Sequence, residues 1–184
     1  MPLSEHQSPE LYRRDVLLAA AASLLAWPAA AKIPRRIAVV DWAMLETLMA
    51  LGVTPIAATE LIQFRKAAVE PVIPPQVVDL GLRGSPNFEL LHLLKPDLIL
   101  ISPFYVRHEA SLARIAPTFS LPFYTPGEPP FEKSLAAVTA LGQVLGRDAE
   151  ASAVLARSER DLARMRGALS GFGERPTYLV NVGD

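Results

Sequence analysis

The 184-residue chain contains no cysteine and only three histidines. The first absence excludes disulfides and thiol chemistry; the second leaves little material for a histidine-rich metal centre. A surplus of either charge is also missing, since 18 Lys and Arg face 19 Asp and Glu for a formal net charge of −1. The totals therefore give no support to a nucleic-acid or other polyanion-binding surface. Catalytic signatures are equally scarce. There is no G-x-S-x-G elbow, no phosphate-cradling glycine loop, no G-x-G-x-x-G after a strand and no H-E-x-x-H pair. Asp41 and Asp79 end predicted strands, where catalytic acids often sit, but neither a nucleophile nor a paired acid accompanies them. A non-enzymatic role is expected.

Half of the chain (51%) is hydrophobic, enough at this length for one ordinary domain with a sizeable core. The N-terminus is patterned for export. Tyr12-Arg13-Arg14 precedes an apolar run from Val16 to Leu25, followed by Trp27, Pro28 and Ala29-Ala30-Ala31. A basic n-region, a short h-region and an A-x-A site make a secretory signal over residues 1–31, cleaved after Ala31. The paired arginines point to the twin-arginine route and so to the periplasm. The other reading, a membrane anchor, meets a run short of the about 20 apolar residues that a span needs. Residues 1–31 carry Arg13 and Arg14 against Glu5, Glu10 and Asp15, so the remainder is formally neutral. An exported, neutral, apolar-rich chain fits a small ligand better than a polyanion.

From residue 32 the chain alternates strand and helix patterns. Arg36 to Asp41 reads as a strand buried on both faces, Ala43 to Leu51 as a helix ending at Gly52, and Pro55 to Ala58 as a second strand. Glu60 to Pro75 reads as a polar, proline-rich loop leading to a strand at Val77-Val78-Asp79. A helix then opens with Ser85 as N-cap and Pro86 in its first turn, stops at Lys95-Pro96, and precedes a central strand over Asp97–Ile101. A helix near Glu109–Ile115 and a short strand at Thr118–Leu121 follow. These alternations predict an α/β lobe over residues 32–147 with a mainly parallel sheet flanked by helices. Pro130 to Leu145 is one further helix, and residues 148–170 form a long one, about 33 Å at 1.5 Å per residue. On that long helix Ala153, Val154, Leu162, Met165 and Leu169 are expected to face inward, with its arginines and acids on a solvated face. A last strand is expected from Arg175 to Val182, so residues 171–184 read as the start of a truncated second lobe.

The stretch from Asp79 to Tyr105 is the most informative for function. It places one fixed cation, Arg83, and one phenol, Tyr105, on loops flanking a helix and a buried strand. A guanidinium donates several hydrogen bonds from a planar fork, and a phenol adds a donor on an aromatic body. Together they suit a cleft for an oxygen-rich ligand. The plainer readings are a surface salt bridge for Arg83 and interfacial packing for Tyr105.

The order and spacing of several segments carry a resemblance. They are Arg36-Ile37-Ala38-Val39-Val40-Asp41-Trp42, Glu46 through Val53, Glu70-Pro71, Asp79-Leu80-Gly81-Leu82-Arg83, Pro86-Asn87-Phe88-Glu89-Leu90-Leu91, Lys95-Pro96-Asp97, Tyr105 and Leu112-Ala113-Arg114-Ile115-Ala116-Pro117. In these the chain resembles the periplasmic ferric-hydroxamate siderophore-binding proteins (FhuD type) of the helical-backbone ABC substrate-binding family, N-terminal portion only. The resemblance implies two lobes joined by one long helix, here residues 148–170, with the second lobe missing. It implies a ferric siderophore as ligand, its iron already coordinated, with no intrinsic cofactor and no protein-bound metal. It implies an inner-membrane ABC permease as partner and a monomer as the working form.

The resemblance also implies roles for single residues. Arg83 and Tyr105 match the family's hydroxamate-contacting pair, Trp42 and Phe64 match pocket aromatics, and Glu89 matches an acid that docks onto permease arginines, with Glu109 as a second docking acid offset by one position. Ala67 and Ile101 stand where the family has tryptophans, which thins the aromatic wall. Trp42 reads equally well as core filler, and Glu89 as a carboxylate favoured by a helix N-terminus. His92 and His108 lack partner histidines at ligand spacing. A binding protein for cobalamin, haem or another iron chelate is the alternative within this class. An exported α/β enzyme with its catalytic groups in the missing half is the alternative outside it.

Overall fold

The computed structural model describes residues 33–173. The signal-peptide reading of residues 1–31 and the strand expected over 175–182 lie outside the described residues. Five short strands form one sheet: β1 (Ile37–Val39), β2 (Ala57–Ala58), β3 (Val78–Asp79), β4 (Leu98–Ile101) and β5 (Thr118–Ser120). Their order across the sheet is β3-β2-β1-β4-β5, and every neighbouring pair is parallel. Parallel neighbours need crossover connections, and the helices supply them. These are α1 (Trp42–Ala50), α2 (Leu61–Ala67), α3 (Phe88–Leu94) and α4 (Val106–Leu112). Two longer helices follow, α5 (Pro130–Leu145) and α6 (Asp148–Leu169).

Side chains alternate across the pleat, so β1, β2 and β4 each feed two cores. Ile37, Val39, Leu98 and Leu100 point into one with Met44, Leu45 and Leu48 of α1, Leu61 and Phe64 of α2, and Leu141 and Leu145 of α5. Ala38, Val40, Ile99 and Ile101 point into the other with Leu80, Leu91 of α3 and Leu112 of α4. Covering both faces explains why β1 and β4 read as unbroken apolar runs.

The Lys95-Pro96-Asp97 segment is a structural device. Lys95 takes a left-handed conformation (φ 46°) as C-cap of α3. The Arg36 side chain donates to the carbonyls of Leu94 and Lys95, closing the helix end. Asp97 accepts from the main-chain N–H groups of Arg35 and Arg36 at 3.0 and 2.9 Å, which ties the start of β1 to the start of β4. Between α5 and α6 the turn is tight. A Cβ on Gly142 would stand 2.7 Å from the Ala151 Cβ, so only glycine admits this approach.

Four expectations change. The segment expected as a loop from Glu60 holds α2, which buries Leu61 and Phe64. The N-cap of α3 is Asn87, not Ser85: its Oδ1 accepts from the Leu90 N–H at 2.9 Å. Asn87 wins because its N–H still belongs to the loop, bonding the Leu80 carbonyl at 2.8 Å, so the chain turns helical only after it. The helix expected near Glu109–Ile115 starts earlier, at Val106, directly from a 3-10 turn over Pro103–Tyr105. On α6, Ala151 is buried and Val154 and Leu155 pack on the core, whereas Ala153, Met165 and Leu169 are exposed. Leu162 is half-buried, so burial along the helix falls off from its N-terminal to its C-terminal turns.

Leu100 is fully buried in the middle strand pair. Leu100→Ala should lower unfolding free energy by about 2–5 kcal/mol, the usual range for a buried leucine truncation, as measured by denaturant titration.

Candidate functional site

Because β1 to β4 run parallel, their C-terminal ends lie on one edge of the sheet, and chain segments distant in sequence meet there. β1 ends in Asp41-Trp42, β2 in Thr59-Glu60, β3 in the loop to Arg83, and β4 in Ser102 through Tyr105. The order reverses direction between β1 and β4, the position at which open parallel sheets form a crevice.

Asp41 organises that reversal. It is 8% exposed. Its Oδ1 accepts from the N–H groups of Ala43 and Met44, capping α1, and its Oδ2 accepts from Ser102 Oγ at 2.8 Å. The residue read as a strand-ending acid thus joins β1, α1 and β4. A cavity of about 330 Å³ opens beside it, lined by Asp41, Ser102, Pro103, Phe104, Phe123 and Tyr124 among others.

Trp42 is half-buried and held by three contacts. Its Nε1 donates to the Thr59 carbonyl at 3.1 Å, and Phe64 meets its ring edge-on at 5.2 Å between centroids. The Arg83 guanidinium lies 4.0 Å from its ring centroid, within cation–π range. Arg83 is held from behind by Glu60, whose Oε2 accepts from Arg83 Nε at 2.6 Å and whose Oε1 accepts from the Arg83 main-chain N–H at 3.0 Å. The loop between them is pinned as well: Asp79 accepts from the N–H groups of Ile62 and Gly81, and Gly81 takes φ 77°, a conformation that favours glycine.

Tyr105 joins this group. Burial pushes its phenol above the ordinary value of 10.0; the nearby Arg83 cation acts against that, while Asp41 and Glu60 add to the rise. The phenol is therefore a neutral donor throughout the physiological range.

Arg83, Trp42 and Tyr105 are thus brought together. Phe64 is not a surface of this site: at 1% exposed it lies in the core of α2 and backs Trp42, because the segment is helical and turns it inward. Ile101 is fully buried in β4 and Ala67 is exposed at the end of α2. Glu89 is exposed in the first turn of α3, in a groove with Phe88, His92, Leu93, Ser111, Arg114 and Ile115. Glu109 is half-buried and accepts from Thr118 Oγ1 at 3.4 Å; it does not line that groove. His108 packs against Phe88 and the Gly84 carbonyl. Among the described residues, no group of three or more His, Cys, Asp or Glu is placed to hold a metal ion, and no helix is long and apolar enough to cross a membrane.

Sequence reasoning missed Glu60, Ser102, Phe104, Phe123 and Tyr124. Glu60 and Ser102 share one signal, a polar residue at the C-terminal end of an apolar parallel strand. The three aromatics lie in segments without periodicity, and only the fold brings them to the edge.

Raising the Tyr105 pKa has a testable sign. The folded state holds the phenolic proton more tightly than the unfolded one, so this group's stabilisation is present below pH 10.0 and declines as pH rises through the folded value. The difference between the ultraviolet phenolate titrations of the parent chain and Tyr105→Phe should show a transition above pH 10.0. A transition at or below that value would contradict the burial.

The chain is 34% identical over 181 residues to the iron(3+)-hydroxamate-binding protein FhuD of Escherichia coli K12, covering 96% of this chain and 61% of that one. It is 25% identical over 141 residues to the Fe(3+)-citrate-binding protein YfmC of Bacillus subtilis 168, covering 74% of this chain and 42% of that one. The crystal structure of FhuD from Vibrio cholerae with bound Fe3+–Desferal superimposes with a TM-score of 0.71 at 30% identity, covering 74% of this chain and 52% of that one. The chain spans about half the length of the relatives it matches, up to 61%. The model of the periplasmic binding protein family matches residues 37–184, and the chain belongs to that family.

Proposed function

We propose that the chain forms one wall of the ligand cleft in the substrate-binding component of an ABC importer. That component takes up a ferric siderophore, of hydroxamate type, in the periplasm and hands it to an inner-membrane permease without covalent chemistry. The observation that carries this reading is the Arg83–Trp42–Tyr105 group at the C-terminal edge of the sheet. A ferric hydroxamate presents coordinated oxygens to accept hydrogen bonds and a largely neutral organic shell. A guanidinium stacked on an indole, beside a phenol that keeps its proton, offers donors and aromatic surface together. The identity to an iron(3+)-hydroxamate-binding protein supports the same class.

In this reading Arg83 and Tyr105 donate to the chelate oxygens, Trp42 supplies the apolar face, and Phe64 stiffens Trp42 from the core. The exposed Phe104 and Tyr124 restore aromatic surface that Ala67 and Ile101 lack. Glu89 is the permease contact: it is solvent-facing, on the opposite sheet face from α1, and α3 packs there through Leu91. Glu109, partly engaged by Thr118, is a secondary contact. Residues 1–31 would export the chain by the twin-arginine route, residues 32–147 form the lobe, 148–170 the inter-lobe helix, and 171–184 the start of a second lobe. The working form is a monomer. Another ferric chelate is the second reading, favoured by the identity to an Fe(3+)-citrate-binding protein.

Arg83→Ala should weaken ferric hydroxamate binding to the full-length protein about tenfold or more, the scale of losing a charge-assisted hydrogen bond, with the fold intact. Calorimetric titration measures this, and an unchanged affinity would remove Arg83 from the site. Glu89→Arg should leave that affinity unchanged while lowering permease-dependent iron uptake in cells; equal uptake would leave Glu89 only its role at the helix N-terminus.

A further inference from the structure

We propose that Glu60 is a specificity residue of the Arg83 site, cancelling the guanidinium charge and fixing its direction so that the cleft prefers neutral and cationic ferric chelates to anionic ones. This rests on the siderophore reading above and names the class of chelate within it.

The geometry is unusual for a simple ion pair. Glu60 takes both the main-chain N–H and the Nε of Arg83, so that Nε is occupied and the Nη groups are left for a ligand. The indole of Trp42 closes one face of the same group. The plane of the guanidinium is thereby set, and its two NH2 groups are the donors that Glu60 leaves unused.

The backbone of Glu60 is held in place for this purpose. Its φ of 51° is a left-handed conformation that a glutamate adopts rarely and that persists only where surroundings enforce it. Its N–H donates to the Gly81 carbonyl and its carbonyl accepts from the Phe64 N–H, both at 2.8 Å. The first of these bonds ties Glu60 to the very loop whose arginine it clamps. A glycine would fit this conformation without strain, so the side chain is the reason for a glutamate.

The charge inventory gives the consequence. Arg83 is one cation; Glu60 and Asp41 are carboxylates close enough to act on the same phenol. A lone arginine would draw a trianionic tricatecholate or a citrate complex into the cleft. With Glu60 paired to it and Asp41 acting on the same phenol, this wall offers hydrogen bonds without net positive charge, which favours uncharged trihydroxamates and the cationic desferrioxamine complex.

The test compares the parent chain, Glu60→Gln and Glu60→Ala in the full-length protein by calorimetric titration. The probes are ferric desferrioxamine B (cationic), ferrichrome (neutral) and ferric enterobactin (anionic). Glu60→Gln removes the charge and keeps one carbonyl acceptor for Arg83, its amide NH2 replacing the second acceptor, so any loss from that missing bond is common to the three probes and only the charge acts on their ratio. It should shift the ratio of enterobactin to desferrioxamine affinity by about tenfold toward the anion, as one charge removed near the ligand implies, and the shift should shrink as salt is raised. Glu60→Ala should add a loss common to all three probes, because Arg83 is then free to turn. An equal change for all probes in Glu60→Gln, or none, with parent-like thermal unfolding, overturns the inference while leaving the siderophore reading intact. Failure of the parent protein to bind any probe overturns both.

Discussion

The parallel pairing of β1 with both β2 and β4 is the constraint on which the rest of the lobe depends. It forces each connection to cross a sheet face, which makes the helices necessary and divides the apolar residues into two cores. It also brings the C-terminal ends of four strands to one edge. Asp41 then joins β1 to β4 by accepting from Ser102 while it caps α1. One buried carboxylate thus satisfies the start of a helix and fixes the sheet where its order reverses.

The candidate site is built the same way, by groups whose polar atoms are spent inward before any ligand arrives. Trp42 donates to Thr59, Thr59 Oγ1 donates to the Val40 carbonyl at 2.6 Å, and Arg83 donates twice to Glu60. No buried side-chain polar atom of the described residues is left without a partner. What remains outward is a narrow set of donors on a stiff aromatic support. Such preorganisation lowers the side-chain entropy lost when a ligand binds there.

Much of the architecture was legible. Ile37–Val39 and Leu98–Ile101 are apolar without alternation, the mark of strands covered on both faces, and α5 and α6 start and stop within a residue or so of their sequence signals. α2 was not legible. Leu61–Ala67 carries two buried residues, and its polar and proline-rich surroundings read as loop; contact of Leu61 and Phe64 with the core decides the helix. The start of α3 shows a smaller failure of the same kind. Ser85 and Asn87 are both good caps, and a tertiary hydrogen bond from Asn87 N–H to Leu80 chooses between them.

The sequence by itself determined the fold class, the export-like N-terminal pattern, and the presence of Arg83, Trp42 and Tyr105 in segments that carry a family resemblance. Periodicity and motif order suffice for that, since both are local along the chain. Only the tertiary structure decided what those residues do to one another. It moved Phe64 from the site into the core, placed Glu60 behind Arg83, and gathered Phe104, Phe123 and Tyr124 beside Asp41. Those relations depend on strand order and register, which place residues tens of positions apart within a few ångströms, and no local pattern encodes them.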